Sequence, residues 1–411
     1  MDQKVLSDKK EKAAHRRHQR VWNFFWYCTI PFFKLIYSYN CKKAPAIQGP
    51  YLVISNHTTE LDCVLVGMSF RRQMYYVASE HVYRKGWVSK LLYWAFEPIA
   101  KIKGASDTLT VMKIIRRLKN GYNVCLFAEG NRSFDGRNYP VSVSTGKLAK
   151  ICGATLVTYR IEGGYFINPR WGFGIRRGRA YGQVVNIYTP QQLNQMTPEQ
   201  VHAHIVEDIH EDAYERQLVQ KIAYKGKNRA LGMECAYCVC PKCRKLGTIA
   251  TRGNKVFCNS CGNTTEFDEY GFFDKSFGVT NTEEWEDLQE KFFTELAATH
   301  TDKTDPFFSD DGVFMRIVDS NHKEQELGQG TMSLYCDRFV FKDSDGKNEI
   351  TLPLNQIPDM SVYSRNGFVF SDTAGTHYEI KPVQKKSPLN VRKYIILARS
   401  LSLSKGRKES E

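Results

Sequence analysis

Tyr51-Leu-Val-Ile-Ser55 runs directly into Asn56-His57-Thr58-Thr59-Glu60-Leu61-Asp62, and the chain then turns to a helical pattern over LDCVLVGMSF at 61–70. A short unbroken apolar run, a polar turn and a helix make one βα unit. The alternation repeats outward: MYYVAS at 74–79, a helix around Trp87 to Phe96, TLTVMKIIRRLKNG at 108–121, NVCLFAEG at 123–130, a helix near Gly146 to Cys152, and ATLVTYRIEGG at 154–164. Strands alternating with helices predict an α/β fold with a mostly parallel sheet flanked by helices, spanning residues 46–230. Gly121 sits where a C-cap glycine would end the helix before the NVCLF strand.

The whole chain has 411 residues, enough for two or three domains. Its 42% hydrophobic and 25% charged content excludes collagenous, low-complexity and wholly disordered classes. With 58 Lys+Arg against 44 Asp+Glu the net charge is +14, which points to anionic partners: phosphate headgroups, anionic lipid or nucleic acid.

Residues 1–45 read as a basic arm and an aromatic segment. Seven Lys/Arg stand against three Asp/Glu in 1–20, and VWNFFWYCTIPFFKLIYSY follows at 21–39. Asn23, Lys34 and a helix-breaking Pro31 speak against a membrane-spanning helix. Trp22, Phe24, Phe25, Trp26 and Tyr27 beside cations suit an interfacial element on anionic lipid, the alternative being a buried first helix. No cleavable secretion signal is evident, which favours a reducing compartment.

Two constellations carry chemistry. Five residues apart, His57 and Asp62 would not share a helical face, but they meet if His57 lies in the turn and Asp62 in the following helix. The carboxylate then fixes the tautomer and steadies the imidazolium while the other ring nitrogen takes a proton from a hydroxyl. Taken alone, the same residues also suit turn and capping roles. At the end of the NVCLF strand, where α/β sheets place ligands, comes Ala128-Glu129-Gly130-Asn131-Arg132-Ser133. Gly130 permits a tight turn, Arg132 offers a planar fork for phosphate oxygens, and Ser133 adds a donor. A base and an anion holder at two strand ends fit transfer onto the hydroxyl of a phosphorylated alcohol.

NHTTELD followed by FAEGNRS resembles the paired NHxxxxD and FPEGTRS signatures of the glycerolipid acyltransferases, the 1-acylglycerol-3-phosphate acyltransferase family, over roughly residues 20–220. The resemblance implies His57 and Asp62 as catalytic, and Lys101, Lys103, Glu129, Gly130 and Arg132 as binding the acceptor phosphate. It also implies acyl-CoA or acyl carrier protein as donor, without a covalent acyl-enzyme. Ala128 replaces the usual proline, Asn131 the usual threonine, and Val157-Thr158 stands for the family's Val-Pro. Cys63 has no partner base and is expected to face helix packing.

Arg160, Arg170, Arg176, Arg177 and Arg179, interleaved with Tyr165, Phe166, Trp171, Phe173 and Tyr181, are expected at phospholipid or CoA phosphates rather than on nucleic acid.

Cys240-Pro-Lys-Cys243 and Cys258-Asn-Ser-Cys261-Gly match the two knuckles of a zinc ribbon, placed at 234–266, with Zn²⁺ as a structural ion. Cys235 and Cys238 form a third pair in excess of one tetrahedral site. A linker with an amphipathic helix from Thr282 to Ala298 covers 267–304. Short strands and turns capped by VRKYIILARSLSL at 305–403 look like a pleckstrin-homology-type β module, and the polar tail 404–411 reads as disordered.

The expectation is a lysophospholipid acyltransferase making phosphatidic acid, bound peripherally or monotopically to membrane lipid at the cytoplasmic face, with a protein partner for the ribbon or the β module. The competing readings are a non-catalytic lipid-binding adaptor and a zinc-ribbon nucleic-acid-binding protein.

Overall fold

The computed structural model describes residues 3–79, 86–101, 108–318, 324–384 and 389–408. The chain divides into two compact units, one running to Pro169 and resuming over Gly174–Lys225, the other made of Arg170–Phe173 and the chain from Gly226 onward.

In the first unit the elements are α1 (Gln3–Tyr37), β1 (Tyr39–Cys41), β2 (Tyr51–Ser55), α2 (Asp62–Gly67), β3 (Met74–Ser79), α3 (Trp87–Phe96), β4 (Ile99–Lys101), α4 (Thr108–Lys119) and β5 (Asn123–Phe127). Then come α5 (Ser144–Ile151), β6 (Thr155–Glu162), α6 (Gly164–Ile167), β7 (Ala180–Tyr188), α7 (Pro190–Gln195), α8 (Pro198–Asp208) and α9 (Ala213–Gln220). The sheet order is β1-β7-β6-β2-β5-β3-β4. All pairs are parallel except β6 with β7, as the βα alternation predicts. Every residue of β2 is buried, which is why it reads as an unbroken apolar run rather than an alternating one. Leu52, Ile54, Val124 and Leu156 of the central strands pack with Ile114 and Leu118 of α4 and with Ile205 of α8.

β7 is hidden in the sequence because the arginine-rich stretch before it masks the strand, whose burial pattern is only half regular. Three aromatics of that stretch are core: Tyr165 and Phe166 are buried, as is Trp171 within the second unit, whereas Phe173 is 39% exposed and Tyr181 half-buried. Thr158 donates to Asp208 at 2.8 Å and accepts from the Asn186 backbone N–H at 3.1 Å, joining β6, β7 and α8.

α1 continues through Pro31, contrary to the expected break. One missing N–H costs the helix one bond, and Ile30 and Tyr37, both buried, hold the segment on either side. Its first half packs on the sheet. His18 is fully buried and its ring nitrogen meets the Tyr75 hydroxyl at 3.3 Å, while Arg117 pairs with both Glu11 and Glu97. Trp22 lies so close to Gly67 that a Cβ there would sit 2.5 Å from the indole, so only glycine fits. The second half of α1 buries Trp22 while leaving Phe24 and Leu35 71% and 79% exposed. No helix among the described residues is long and apolar enough to cross a membrane.

In the second unit, β8 (Ile249–Arg252), β9 (Lys255–Cys258) and β10 (Thr264–Glu266) form a small antiparallel sheet, followed by α10 (Thr282–Thr299). The strands β11 (Phe308–Val318), β12 (Glu324–Leu334), β13 (Arg338–Asp343), β14 (Glu349–Pro353), β15 (Asp359–Tyr363), β16 (Gly367–Ser371) and β17 (His377–Pro382) form an antiparallel sheet ordered β14-β13-β12-β11-β17-β16-β15. α11 (Arg392–Lys408) closes it. The helix runs into the segment expected to be disordered, carried on from the buried Leu401; residues 409–411 lie outside the described residues. Tyr394 of α11 packs against Phe339 and Phe368 and donates to the Met332 carbonyl at 2.9 Å. Arg170, read from sequence as a phosphate contact, is buried and donates to the carbonyls of Val362 and Ser364.

Candidate active site and cysteine cluster

The turn after β2 is pinned before any catalytic residue appears. Asn56 Nδ2 donates to the Ile161 carbonyl at 2.7 Å and its Oδ1 accepts the Ile161 N–H at 2.8 Å, stitching the turn to β6. His57 follows, with its ring stacked on Phe127 at a centroid distance of 4.8 Å. Asp62 is the first residue of α2. Its carboxylate accepts from the backbone N–H groups of Thr58 and Thr59 and from the Thr59 hydroxyl, and Oδ2 lies 2.8 Å from His57 Nδ1. With Asp62 1% exposed, these donors offset the cost of burying its charge. Nδ1 is thereby assigned as the N–H side of the ring, leaving Nε2 the basic nitrogen.

The second motif closes on the first. Gly130 takes φ +67° in the turn after β5, which a side chain would strain. Ser133 N–H donates to the His57 carbonyl at 3.4 Å. Glu129, expected at the acceptor phosphate, is buried: Oε1 accepts from His57 N–H at 2.9 Å and Asn138 Nδ2 at 2.8 Å, and Oε2 accepts from Tyr139 N–H at 2.6 Å. Burial pushes its carboxyl up to about 8, against the pull of these donors. A buried acid with its oxygens bound inside the protein holds two loops together.

Arg132 does not pair with Glu129. Its guanidinium donates to Asn168 Oδ1 at 3.2 Å and to the exposed Glu60 at 3.3 Å, which aims the fork from both sides. Tyr37, at the end of α1, reaches the same region; burial, then the carboxylates of Asp62 and Glu60, push its hydroxyl up to about 12. Lys101 ends the edge strand β4, two strands from β5 in the sheet order, and Lys103 lies outside the described residues. Cys63 is inert as a nucleophile, because burial and the adjacent Asp62 push its thiol up to about 11.

Sequence reading missed the residues that do the holding. Thr58 and Thr59 fill unnamed positions inside the His57-to-Asp62 spacing, and Asn138 and Asn168 come from loops with no pattern of their own. Asn56 alone carried a local signal.

In the second unit the sulfurs of Cys240, Cys243, Cys258 and Cys261 all lie within 4.8 Å of one another, with Cys240–Cys261 and Cys243–Cys258 each at 3.8 Å. A tetrahedron with Zn–S bonds of about 2.3 Å has edges of about 3.8 Å, so the donor set can hold a metal ion of that kind. Backbone N–H groups of Lys242 and Cys243 donate to Cys240 Sγ, and those of Ser260 and Cys261 to Cys258 Sγ. Cys235 and Cys238 stand outside this cluster, buried, with burial pushing both thiols up to about 12. The Cys238 N–H is instead bonded to Gln289 Oε1 of α10 at 2.6 Å, beside Trp285 Nε1, which donates to the Val239 carbonyl at 2.8 Å.

The model of the Acyltransferase family matches residues 36–162. No curated protein matches the sequence significantly. Among solved structures, the 1-acyl-sn-glycerophosphate (LPA) acyltransferase PlsC from Thermotoga maritima aligns at TM-score 0.39 and 16% identity, over 49% of this chain and 79% of its own. The Vps36 N-terminal PH domain aligns at TM-score 0.19 and 15% identity, over 24% of this chain and 80% of its own. The match to the Acyltransferase family thus runs from the end of α1 to the end of β6 and takes in both the His57–Asp62 turn and the Arg132 loop.

Proposed function

We propose that the first unit moves a fatty acyl chain from acyl-CoA or acyl carrier protein to the free hydroxyl of a lysophospholipid, with 1-acylglycerol-3-phosphate as acceptor and phosphatidic acid as product. The observation that carries this reading is the His57–Asp62 pair at 2.8 Å, on a turn bonded to the loop that presents Arg132. His57 Nε2 takes the acceptor's hydroxyl proton as the oxygen attacks the thioester carbonyl, and Asp62 stabilises the imidazolium through Nδ1–H. The tetrahedral intermediate collapses, the C–S bond breaks, and the thiolate leaves and is protonated by the imidazolium. The ester bond formed replaces the thioester broken, and the enzyme returns to its starting state. Arg132, with Lys101 and Lys103 as further cations, holds the acceptor phosphate.

Membrane lipid is the medium of this reaction. The exposed Phe24, Phe32 and Leu35 of α1, with Trp87 (74% exposed) and Trp94 of α3, supply an interfacial face, since α1 and α3 pack together. The cysteine cluster takes one structural Zn²⁺, and the antiparallel sheet with its closing helix is a PH-like module that recruits a partner.

The test is acyl transfer by purified protein across a panel of lysolipids with acyl-CoA and with acyl carrier protein. His57→Ala is expected to abolish transfer while lipid binding persists. Absence of product from every donor–acceptor pair with the unmutated chain would overturn the reading.

A further inference from the structure

A second cationic site lies at the opposite end of the sheet from His57. A cavity of about 530 Å³ opens where β3 and β5 begin, lined by His15, Gln19 and Asn23 of α1 and by Arg71, Arg72 and Gln73 of the segment entering β3. His57 follows the C-terminal end of β2 and Glu129 that of β5. Five residues of strand at about 3.3 Å each therefore put roughly 16 Å between the two ends.

The lining contains two guanidiniums and no carboxylate. Arg71 and Arg72 are both exposed and form no ion pair among the described residues; Arg71 donates only to the Tyr27 hydroxyl, at 2.9 Å. The rest of the cradle is built in advance. Gln19 Oε1 accepts the Gln73 N–H at 3.1 Å, and Gln19 Nε2 donates to Asn23 Oδ1 at 2.9 Å, which orients both amides along one face of α1. Gln73 is 1% exposed, and its Oε1 is buried without a hydrogen-bond partner although its Nε2 is satisfied by the Met74 carbonyl. His15, stacked on Tyr122 at 4.2 Å, forms an aromatic wall.

We propose that this cavity binds a phosphate monoester, as a second anion site distinct from the Arg132 loop, and that a membrane phospholipid headgroup supplies it. Paired planar forks suit phosphate oxygens. The lipid source follows from α1 itself. One turn beyond Asn23 the helix exposes Tyr27, then Phe32 and Leu35, so a headgroup in the cavity has its acyl chains beside the apolar face.

The experiment compares sedimentation of the full chain with phosphatidylcholine vesicles and with the same vesicles containing a minority of phosphatidic acid. Arg71→Gln/Arg72→Gln is expected to weaken phosphatidic acid binding about tenfold while leaving phosphatidylcholine binding unchanged. Asn23→Asp, which keeps the Gln19 bond but faces the phosphate with a like charge, is expected to do the same. The charge-matched Arg16→Gln/Arg20→Gln, outside the cavity, is expected to cost far less, and Arg132→Ala to leave the cavity's share intact. Equal losses from the two arginine pairs, or none from the cavity variants, would overturn the site. In a competition arm, short-chain phosphatidic acid displaces the vesicles and inorganic phosphate at the same concentration does not. Equal displacement by inorganic phosphate would keep the phosphate site and overturn the lipid source.

Discussion

Glu129 Oε1 accepts the backbone N–H of His57 at 2.9 Å, so the acid of one motif fixes the chain position of the imidazole in the other. The bond runs between the turns after β2 and β5, adjacent strands of the sheet, and its neighbour from Ser133 N–H to the His57 carbonyl makes the contact two-stranded. Two loops seventy residues apart are thereby a single rigid object, which is what a proton transfer at one point and an anion at another require.

Because burial holds the Glu129 carboxyl near 8 against an ordinary 4.5, the folded chain keeps a proton there that the unfolded chain releases. The sign follows from linkage: this group's contribution is fully present below about 4.5 and is lost as the pH rises through about 8. Glu129→Gln, neutral throughout, is expected to flatten the fall of Tm across that window. Its Nε2 cannot accept the Tyr139 N–H, so activity falls as well, with kcat affected more than KM. Thermal melts against pH for both proteins check the first claim, and an unchanged slope would refute it.

Removal of metal from the cysteine cluster is expected to lower the stability of the second unit and leave the acyltransferase site folded. Elemental analysis should find a single metal ion per chain, abolished by Cys240→Ser or Cys258→Ser and retained in Cys235→Ser/Cys238→Ser. Loss of metal in the last variant would mean that the buried pair takes part in binding.

How far the sequence reveals all this depends on the range of the forces involved. β2 and β5 are legible because burial on both faces leaves a continuous apolar run, and the cysteine knuckles because a tetrahedral ion dictates their spacing. His57 and Asp62 are legible as a pair for the same local reason. The partners of Glu129 and Arg132 are not, since Asn138 and Asn168 act through hydrogen bonds that any loop asparagine can make. The path of α1 through Pro31 is illegible too, because tertiary packing of Ile30 and Tyr37 outweighs a local propensity.

In the second unit Arg392 of α11 meets Glu286 of α10 through both terminal nitrogens, with side chains 7% and 5% exposed. Breaking such a pair strands a buried charge, so Arg392→Met alone is expected to cost about 3–5 kcal/mol, whereas Arg392→Met with Glu286→Leu costs far less or nothing. Denaturant unfolding of the single and double variants measures the difference. Equal losses in the two would show that packing, not the unpaired carboxylate, sets the cost.

Arg132 is held by Asn168 and Glu60 in a way that lysine cannot reproduce, since a single ammonium lacks the two directed edges of the guanidinium. Under the proposed reaction, Arg132→Lys keeps the charge and loses the fork. KM for the phosphorylated acceptor is then expected to rise roughly tenfold, about 1.4 kcal/mol, while KM for the thioester stays put. Asn168→Ala removes one support of the guanidinium without touching the charge, so it should shift the same constant in the same direction by less. Initial-rate measurements with acceptor and donor varied separately resolve the two constants. A rise confined to the thioester would place Arg132 at the donor and move the acceptor phosphate elsewhere, with Lys101 at the end of β4 the next cation to test.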